Sequence, residues 1–127
     1  MIIAGIGCGR ETSAEDIVGL ISVALANFGL APESLTAIAT ETSKADQRGI
    51  AGAARSLSLP IVRCPVAELG RVADQVLTRS LRVQELKGVP SIAEASALVA
   101  AGSNARLLGA RVAANKVTCA IVIGEGS

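Results

Sequence analysis

The apolar positions along the chain change their period several times, and each change marks an element. Ile2 to Ile6 is a short apolar run closed by glycine, the pattern of a strand buried on both faces. From Ser13 the period becomes helical: Ile17, Leu20, Ile21, Ala24, Leu25 and Phe28 recur at helical steps. Thr12 and Glu15 have the spacing of a capping box, in which each side chain satisfies an orphan backbone N–H of the other. Gly29 follows the last apolar position, where a left-handed residue ends a helix. Pro32-Glu33 starts a short turn before a second strand at Leu35 to Ala39. The next helix spans Lys44 to Ser58, with Ile50, Ala53, Ala54 and Leu57 on one face. In it, Gly49 and Gly52 either weaken the helix or allow it to pack closely against the sheet.

Leu59 to Cys64 reads as a third strand, and Pro65 opens a helix whose inward face carries Val66, Leu69, Val72, Val76 and Leu77. Leu81 to Leu86 predicts a further short helix, stopped by Gly88 and Pro90. Ser91 with Glu94 repeats the capping-box spacing ahead of Ile92, Ala95, Leu98 and Val99, and Gly102 ends that helix. Two last strands, Leu107 to Val112 and Val117 to Ile123, flank Ala113-Ala114-Asn115-Lys116, a spacing that suits an antiparallel hairpin. The order β-α-β-α-β-α-α-α-β-β predicts one α/β domain over residues 1–127. Right-handed crossovers then give a mostly parallel five-stranded sheet with helices on both faces, made mixed by the closing C-terminal antiparallel hairpin.

Composition narrows what such a domain does. Half of the 127 residues are apolar, enough for a full core without disulfides or a structural metal. The aromatic content is a single Phe, so bases have no ring to stack on, and a net charge of +1 leaves no basic stripe; nucleic acid is not an expected partner. Histidine is absent, which removes serine–histidine and cysteine–histidine catalytic pairs. Cys8, Cys64 and Cys119 are one ligand short of a closed zinc site and read as free thiols of a reducing compartment, so no metal and no cofactor are expected. Neither a signal peptide nor a membrane span is evident, and a cytoplasmic protein is the expectation.

In an open α/β sheet, ligands bind beyond the carboxyl ends of the strands. The loop Gly5-Ile6-Gly7-Cys8-Gly9-Arg10-Glu11-Thr12-Ser13 stands at such an end and is the first candidate site. Gly5 and Gly7 let a ligand approach the backbone, Thr12 and Ser13 stand at a helix N-terminus, and Arg10 adds a forked donor for carboxylate or phosphate. The loop is neither a dinucleotide fingerprint, because Arg10 stands where Gly or Ala is needed, nor a P-loop. Its glycines are equally those of a plain tight turn. Cys8 beside Arg10 is a reactive thiol or, more commonly for a free cysteine, a small buried hydrophobe. Thr40, Lys44 and Asp46 form a second polar loop after strand two, offering a second cation and a carboxylate, or else only a cap and solvated charges. Ser91 marks a third helix N-terminus, and Arg111 a cation of the hairpin.

Taken together, these segments resemble the CobE / CbiG C-terminal domain family of cobalamin biosynthesis. Gly5 to Ser13 is similar to the family's Gly-Ile-Gly-Cys-(Arg)-x-x-Thr-Ser signature, and Ala39 to Asp46 to its Ala-Thr-x-x-x-Lys-x-Asp segment. Gly88 to Ala95 is similar to its Gly-Val-x-Ser-Val-x-Glu-Ala segment, and Val117 to Ile121 to its final strand. The sequence departs from the pattern at Gly9, where many relatives are basic, and at Ala113, where a second lysine is common beside Arg111 and Lys116. The resemblance implies a three-layer α/β/α sandwich and a role in corrin assembly, with a tetrapyrrole (precorrin or corrinoid) as ligand and other enzymes of the pathway as partners. Members that stand alone are the CobE-like ones; the longer CbiG proteins open a lactone ring on a cobalt-precorrin. Three functions follow: a binding or carrier module for an unstable intermediate, an enzyme such as a lactone hydrolase, or a regulatory domain for a small anion. The lack of histidine favours binding, since catalysis would rest on Asp46, Glu41, Lys44 or Cys8.

Overall fold

The computed structural model describes residues 1–78 and 91–126. The helix expected at Leu81 to Leu86, and the Gly88 and Pro90 stop, lie outside the described residues. Strand β1, Ile2–Cys8, is the centre of the sheet. It pairs in parallel with β2, Ala37–Glu41, which pairs in parallel with β3, Ile61–Cys64. On its other side lies β6, Val117–Ile123, antiparallel over the whole length of β1, from Ile2 opposite Ile123 to Cys8 opposite Val117. The outer edge of β6 is covered by β4, Arg106–Leu107, and β5, Val112–Ala114.

The sheet is therefore mixed, as expected, but among the described residues it has six strands in place of five, and their pairings are two parallel and three antiparallel, so it is not mostly parallel. The expected strand at Leu107 to Val112 is broken in two. Both pieces lie along β6, and the break falls at Gly109, where a β-carbon would come within 2.9 Å of the Phe28 ring. The hairpin after β5 turns through Asn115 and Lys116, with φ of 52° and 64°, the two left-handed residues of a type I′ turn.

Four α-helices lie among the described residues: α1, Ala14–Asn27; α2, Arg48–Leu57; α3, Val66–Arg71; and α4, Ile92–Ala101. Alternation along β1 divides them. Ala4, Ile6 and Cys8 join Ile17, Leu20, Ile21 and Leu25 of α1 and Ile50 and Ala53 of α2 in one core. Ile3 joins Leu69 of α3 and Ile92, Ala95 and Leu98 of α4 in a second core on the opposite face. Helices α1, α2 and α4 carry their apolar side chains on the face expected from periodicity, and α4 is buried nearly all round. In α3 only Leu69 is buried; Val66 is exposed in its first turn, and Leu77, expected inward with it, lies beyond the helix end at Arg71 and is exposed.

Boundaries shift where capping decides them. The N-cap of α1 is Ser13, whose hydroxyl accepts from the Asp16 N–H at 3.1 Å, not Thr12 with Glu15. Thr12 is held one step earlier by its own N–H closing a turn on the Gly9 carbonyl at 3.3 Å. Gly29 takes the left-handed φ of 66° that ends α1. Helix α2 begins at Arg48, because Thr42–Lys44 first forms a 3-10 turn. Its glycines approach α1, not the sheet: a β-carbon at Gly49 would collide with the Thr12 carbonyl, and one at Gly52 would lie 2.9 Å from the Ala14 methyl. The helix opened by Pro65 stops at Arg71 and continues as a 3-10 turn, Ala73–Gln75.

The tightest approach in the molecule is α4 against β1. A β-carbon at Gly5 would strike the Ala93 carbonyl oxygen and lie 2.8 Å from the Ala97 methyl, whereas one at Gly9 would meet nothing within 4 Å. Gly5→Ala should therefore lower stability by about 2 kcal/mol or more through overpacking, while Gly9→Ala should stay within about 0.5 kcal/mol of the parent. Urea unfolding midpoints check this; equal losses at the two positions would contradict the seating of α4 on β1.

Candidate functional site

The three parallel strands end at one edge of the sheet, and their following loops meet there. Lys44, in the loop after β2, reaches across to the loop after β1 and donates from Nζ to the Cys8 carbonyl at 2.9 Å. The Cys8 thiol donates to Oε1 of Gln47, the residue that begins α2, at 3.4 Å. Thr118 of β6 donates to the Gly7 carbonyl at 3.3 Å. Because β6 is antiparallel to β1, the Asn115-Lys116 turn also arrives at this edge. So does the start of α4, whose Ala93 N and Ile92 Cβ would each lie 3.8 Å from a β-carbon at Gly7.

Between the loop after β1 and the hairpin turn lies an open cleft of about 480 Å³, lined by Gly9, Arg10, Glu11, Thr12 and Lys116. Arg10 and Lys116 form no ion pair with any described residue. Two cationic residues thus line an opening whose other lining residues are Gly9, Thr12 and one carboxylate, Glu11. The chemistry suits an anion, with the arginine fork matched to carboxylate geometry.

The expected site residues divide into those that line this opening and those that build it. Arg10 and Thr12 line it. Ser13 caps α1 at its border. Lys44 is half-buried and holds the loop from behind. The others are committed elsewhere. Gly5 is buried beneath α4 and Gly7 faces the same helix, so both are strand residues that admit a neighbouring helix and not loop residues that admit a ligand. Thr40 is buried and donates to the Ile6 carbonyl at 2.7 Å. Ser91 is buried as the cap of α4, accepting from the Glu94 N–H at 3.3 Å. Asp46 is turned to Arg63 of β3 at 2.7 Å, and that guanidinium, by hydrogen bond first and by charge second, lowers its pKa. Arg111 meets the α4 side of the sheet, its backbone N–H donating to Glu94 at 2.8 Å.

Cys8 is a buried thiol. Burial raises its pKa, and the smaller opposing effects of the Lys44 charge and the Thr12 hydrogen bond do not reverse this. It is not an activated nucleophile. Among the described residues no group of three or more Cys, Asp or Glu is placed to hold a metal, and no helix is long and apolar enough to cross a membrane.

Three functional or structural residues of the site escape a linear reading. Lys116 faces Arg10 only because β6 pairs with β1, a contact between the two ends of the sequence; its left-handed turn position is the sole local signal. Gln47 resembles any exposed polar helix start until its carbonyl is found on the Cys8 thiol. Glu94 reads as half of a capping box, yet its carboxylate is fully buried and turned away from the cap. Its Oε1 accepts from the N–H groups of Leu77 and Thr78, both at 2.8 Å, and its Oε2 from the Thr78 hydroxyl at 2.9 Å and the Arg111 N–H. One side chain thereby ties α4 to the segment after α3 and to the approach to β5.

Comparison with known proteins places these features in context. A family model described as cobalamin synthesis G C-terminus matches residues 2–122. A protein named CobE from a Sinorhizobium species is 32% identical over 120 residues, covering 94% of this chain and 78% of its own. The crystal structure of CobE, described as a protein from the cobalamin (vitamin B12) biosynthetic pathway, superposes with a TM-score of 0.93 at 31% identity, over 100% of this chain and 92% of the other. That of the cobalamin biosynthesis protein chiG from Agrobacterium tumefaciens str. C58 gives a TM-score of 0.77 at 34% identity, over 98% and 99% of the two chains.

The buried thiols set a pH dependence. Burial pushes Cys119 from 9.0 up to about 12, and burial with the nearby Glu68 charge does the same for Cys64. In the unfolded chain these thiols ionise near their ordinary value, so above it the unfolded state sheds protons that the folded state retains. Stability is therefore fully present below about pH 8 and is lost as pH rises toward about 12. Thermal unfolding across this range should show a falling midpoint, with a shallower fall in Cys119→Ala. A midpoint that holds constant to about pH 11 would show that these thiols ionise as readily in the folded state as in the unfolded one.

Proposed function

The chain belongs to the cobalamin synthesis G C-terminus family, and from that premise we propose that it binds the carboxylate-bearing periphery of a precorrin or corrinoid intermediate, as a binding or carrier module. The cleft between Arg10 and Lys116 is the single observation that carries this reading. Intermediates of this class carry acetate and propionate arms, and two cations unpaired with any described carboxylate supply charge-assisted hydrogen bonds to such arms. The absence of Trp and Tyr means that the macrocycle rests on aliphatic surface, not on stacked rings.

An enzyme acting on the macrocycle needs a nucleophile or a general base within reach of the cleft. All three cysteines are buried with raised thiol pKa values, Asp46 is occupied by Arg63, and the one carboxylate lining the cleft is Glu11. These placements favour binding over catalysis.

The test uses cobyrinic acid and its cobalt-free counterpart, with visible spectra and masses followed together. Binding without turnover gives a spectral shift at unchanged mass, whereas a new mass identifies an enzyme and overturns the carrier reading. Arg10→Ala and Lys116→Ala should each weaken binding about tenfold, the scale of one charge-assisted hydrogen bond. Asp46→Asn should bind like the parent, because its carboxylate already belongs to Arg63. Unchanged affinity in both cation variants would move the site away from this cleft.

A further inference from the structure

Glu94 is fully buried, and its carboxylate forms no ion pair with any described residue. A charge so placed is stable only if hydrogen bonds replace both water and a counter-ion. Each of its oxygens accepts two: Oε1 from the N–H groups of Leu77 and Thr78, and Oε2 from the Thr78 hydroxyl and the Arg111 N–H, all at 2.8 or 2.9 Å. A carboxylate suits four donors because both of its oxygens accept and neither donates. A carboxamide would turn its own N–H groups against one pair of them.

The two ends of this clamp lie far apart in sequence. Leu77 and Thr78 follow α3 and its 3-10 turn, whereas Arg111 stands immediately before β5. That strand is three residues long and, among the described residues, pairs only with β6. It leads directly into the turn that carries Lys116 to the cleft. The chain that delivers Lys116 is thus held by β6 along its length and by Glu94 at its entry. Arg10, the other cation of the cleft, stands on the loop after β1, to which Glu94 makes no hydrogen bond.

We propose that Glu94 is a positioning residue of the cleft, which fixes the β5 hairpin so that Lys116 faces the anion and couples that hairpin to the segment after α3. The inference rests on the reading of the cleft as a carboxylate site and says what sets its second cation in place. Because such coupling is reciprocal, a ligand that engages Lys116 also tightens the clamp at Leu77 and Thr78.

Cobyrinic acid is titrated into the parent, Arg10→Ala, Lys116→Ala and Glu94→Gln, and into Glu94→Gln combined with each of the other two. Glu94→Gln should weaken binding by up to about tenfold, the loss expected for Lys116→Ala. It should cost nothing further once Lys116 is gone, but its full loss should persist beside Arg10→Ala, since coupled residues are non-additive and independent ones add. A general loosening of the fold would weaken both backgrounds alike, and that result would overturn the proposal. If Arg10→Ala weakens binding while Glu94→Gln binds like the parent, the clamp is wrong and the cleft stands. If neither cation variant changes affinity, or the parent does not bind, both readings fall. Hydrogen exchange in the parent decides the matter even if Glu94→Gln does not fold. Saturating cobyrinic acid should slow exchange of the Leu77, Thr78 and Arg111 N–H groups several-fold. Slowing confined to the residues that line the cleft would overturn the coupling.

Discussion

Most of this molecule is arranged around the close seating of α4 on the middle of the sheet. A helix reaches van der Waals contact with a strand at its backbone only where the strand offers no side chains, and β1 offers Gly5 and Gly7 on the face toward α4. The helix answers with small residues, Ala93 and Ala97, at the point of contact. Gly124, just beyond β6, admits Ala101 in the same way at the far end, so α4 is fixed along its whole length. From that position follow the burial of Ser91 through Leu98, the placement of the helix start at the carboxyl edge of the parallel strands, and the reach of Glu94 to two other segments. Dispersion across so dry and tight a contact is lost in quantity if the approach opens by a fraction of an ångström.

The polar groups at the carboxyl edge of the sheet divide the labour. Thr40, Lys44, Gln47 and Thr118 spend their hydrogen bonds on the last three residues of β1, at the Ile6, Gly7 and Cys8 carbonyls and the Cys8 thiol. They tie the end of the central strand to β2, β6 and the segment that leads into α2. Arg10 and Lys116 line the cleft beside this framework and take no part in it.

How far the sequence discloses this depends on how local each cause is. The strand Ile2–Cys8, helix α1 with its Gly29 terminus and the hairpin turn are legible because neighbouring residues determine them. The capping residue of α1 differs by one position, since Thr12 and Ser13 are both good caps and only the turn onto Gly9 decides between them. The insertion of β6 beside β1 is not local and leaves no trace in periodicity, and with it the facing of Lys116 toward Arg10 is hidden. Glycine is the hardest letter to read. Gly5, Gly9 and Gly29 look alike in sequence, yet Gly5 admits a helix, Gly29 takes the left-handed turn that ends one, and Gly9 has no atom where its side chain would stand. The family resemblance seen in Gly5 to Ser13 was carried as much by residues that build the frame as by residues that face the opening.

The pairing of β1 with β6 also has a meaning in time. Ile2 lies opposite Ile123, so the central strand acquires one of its two neighbours only when almost the entire described chain has left the ribosome. Until then the edge of β1 that takes β6 has no partner, and an unpaired strand edge invites pairing with another chain. A pairing so distant in sequence makes folding slow. The cleft takes its second cation from the hairpin, so its two cations come together only once β5 and β6 have joined the sheet.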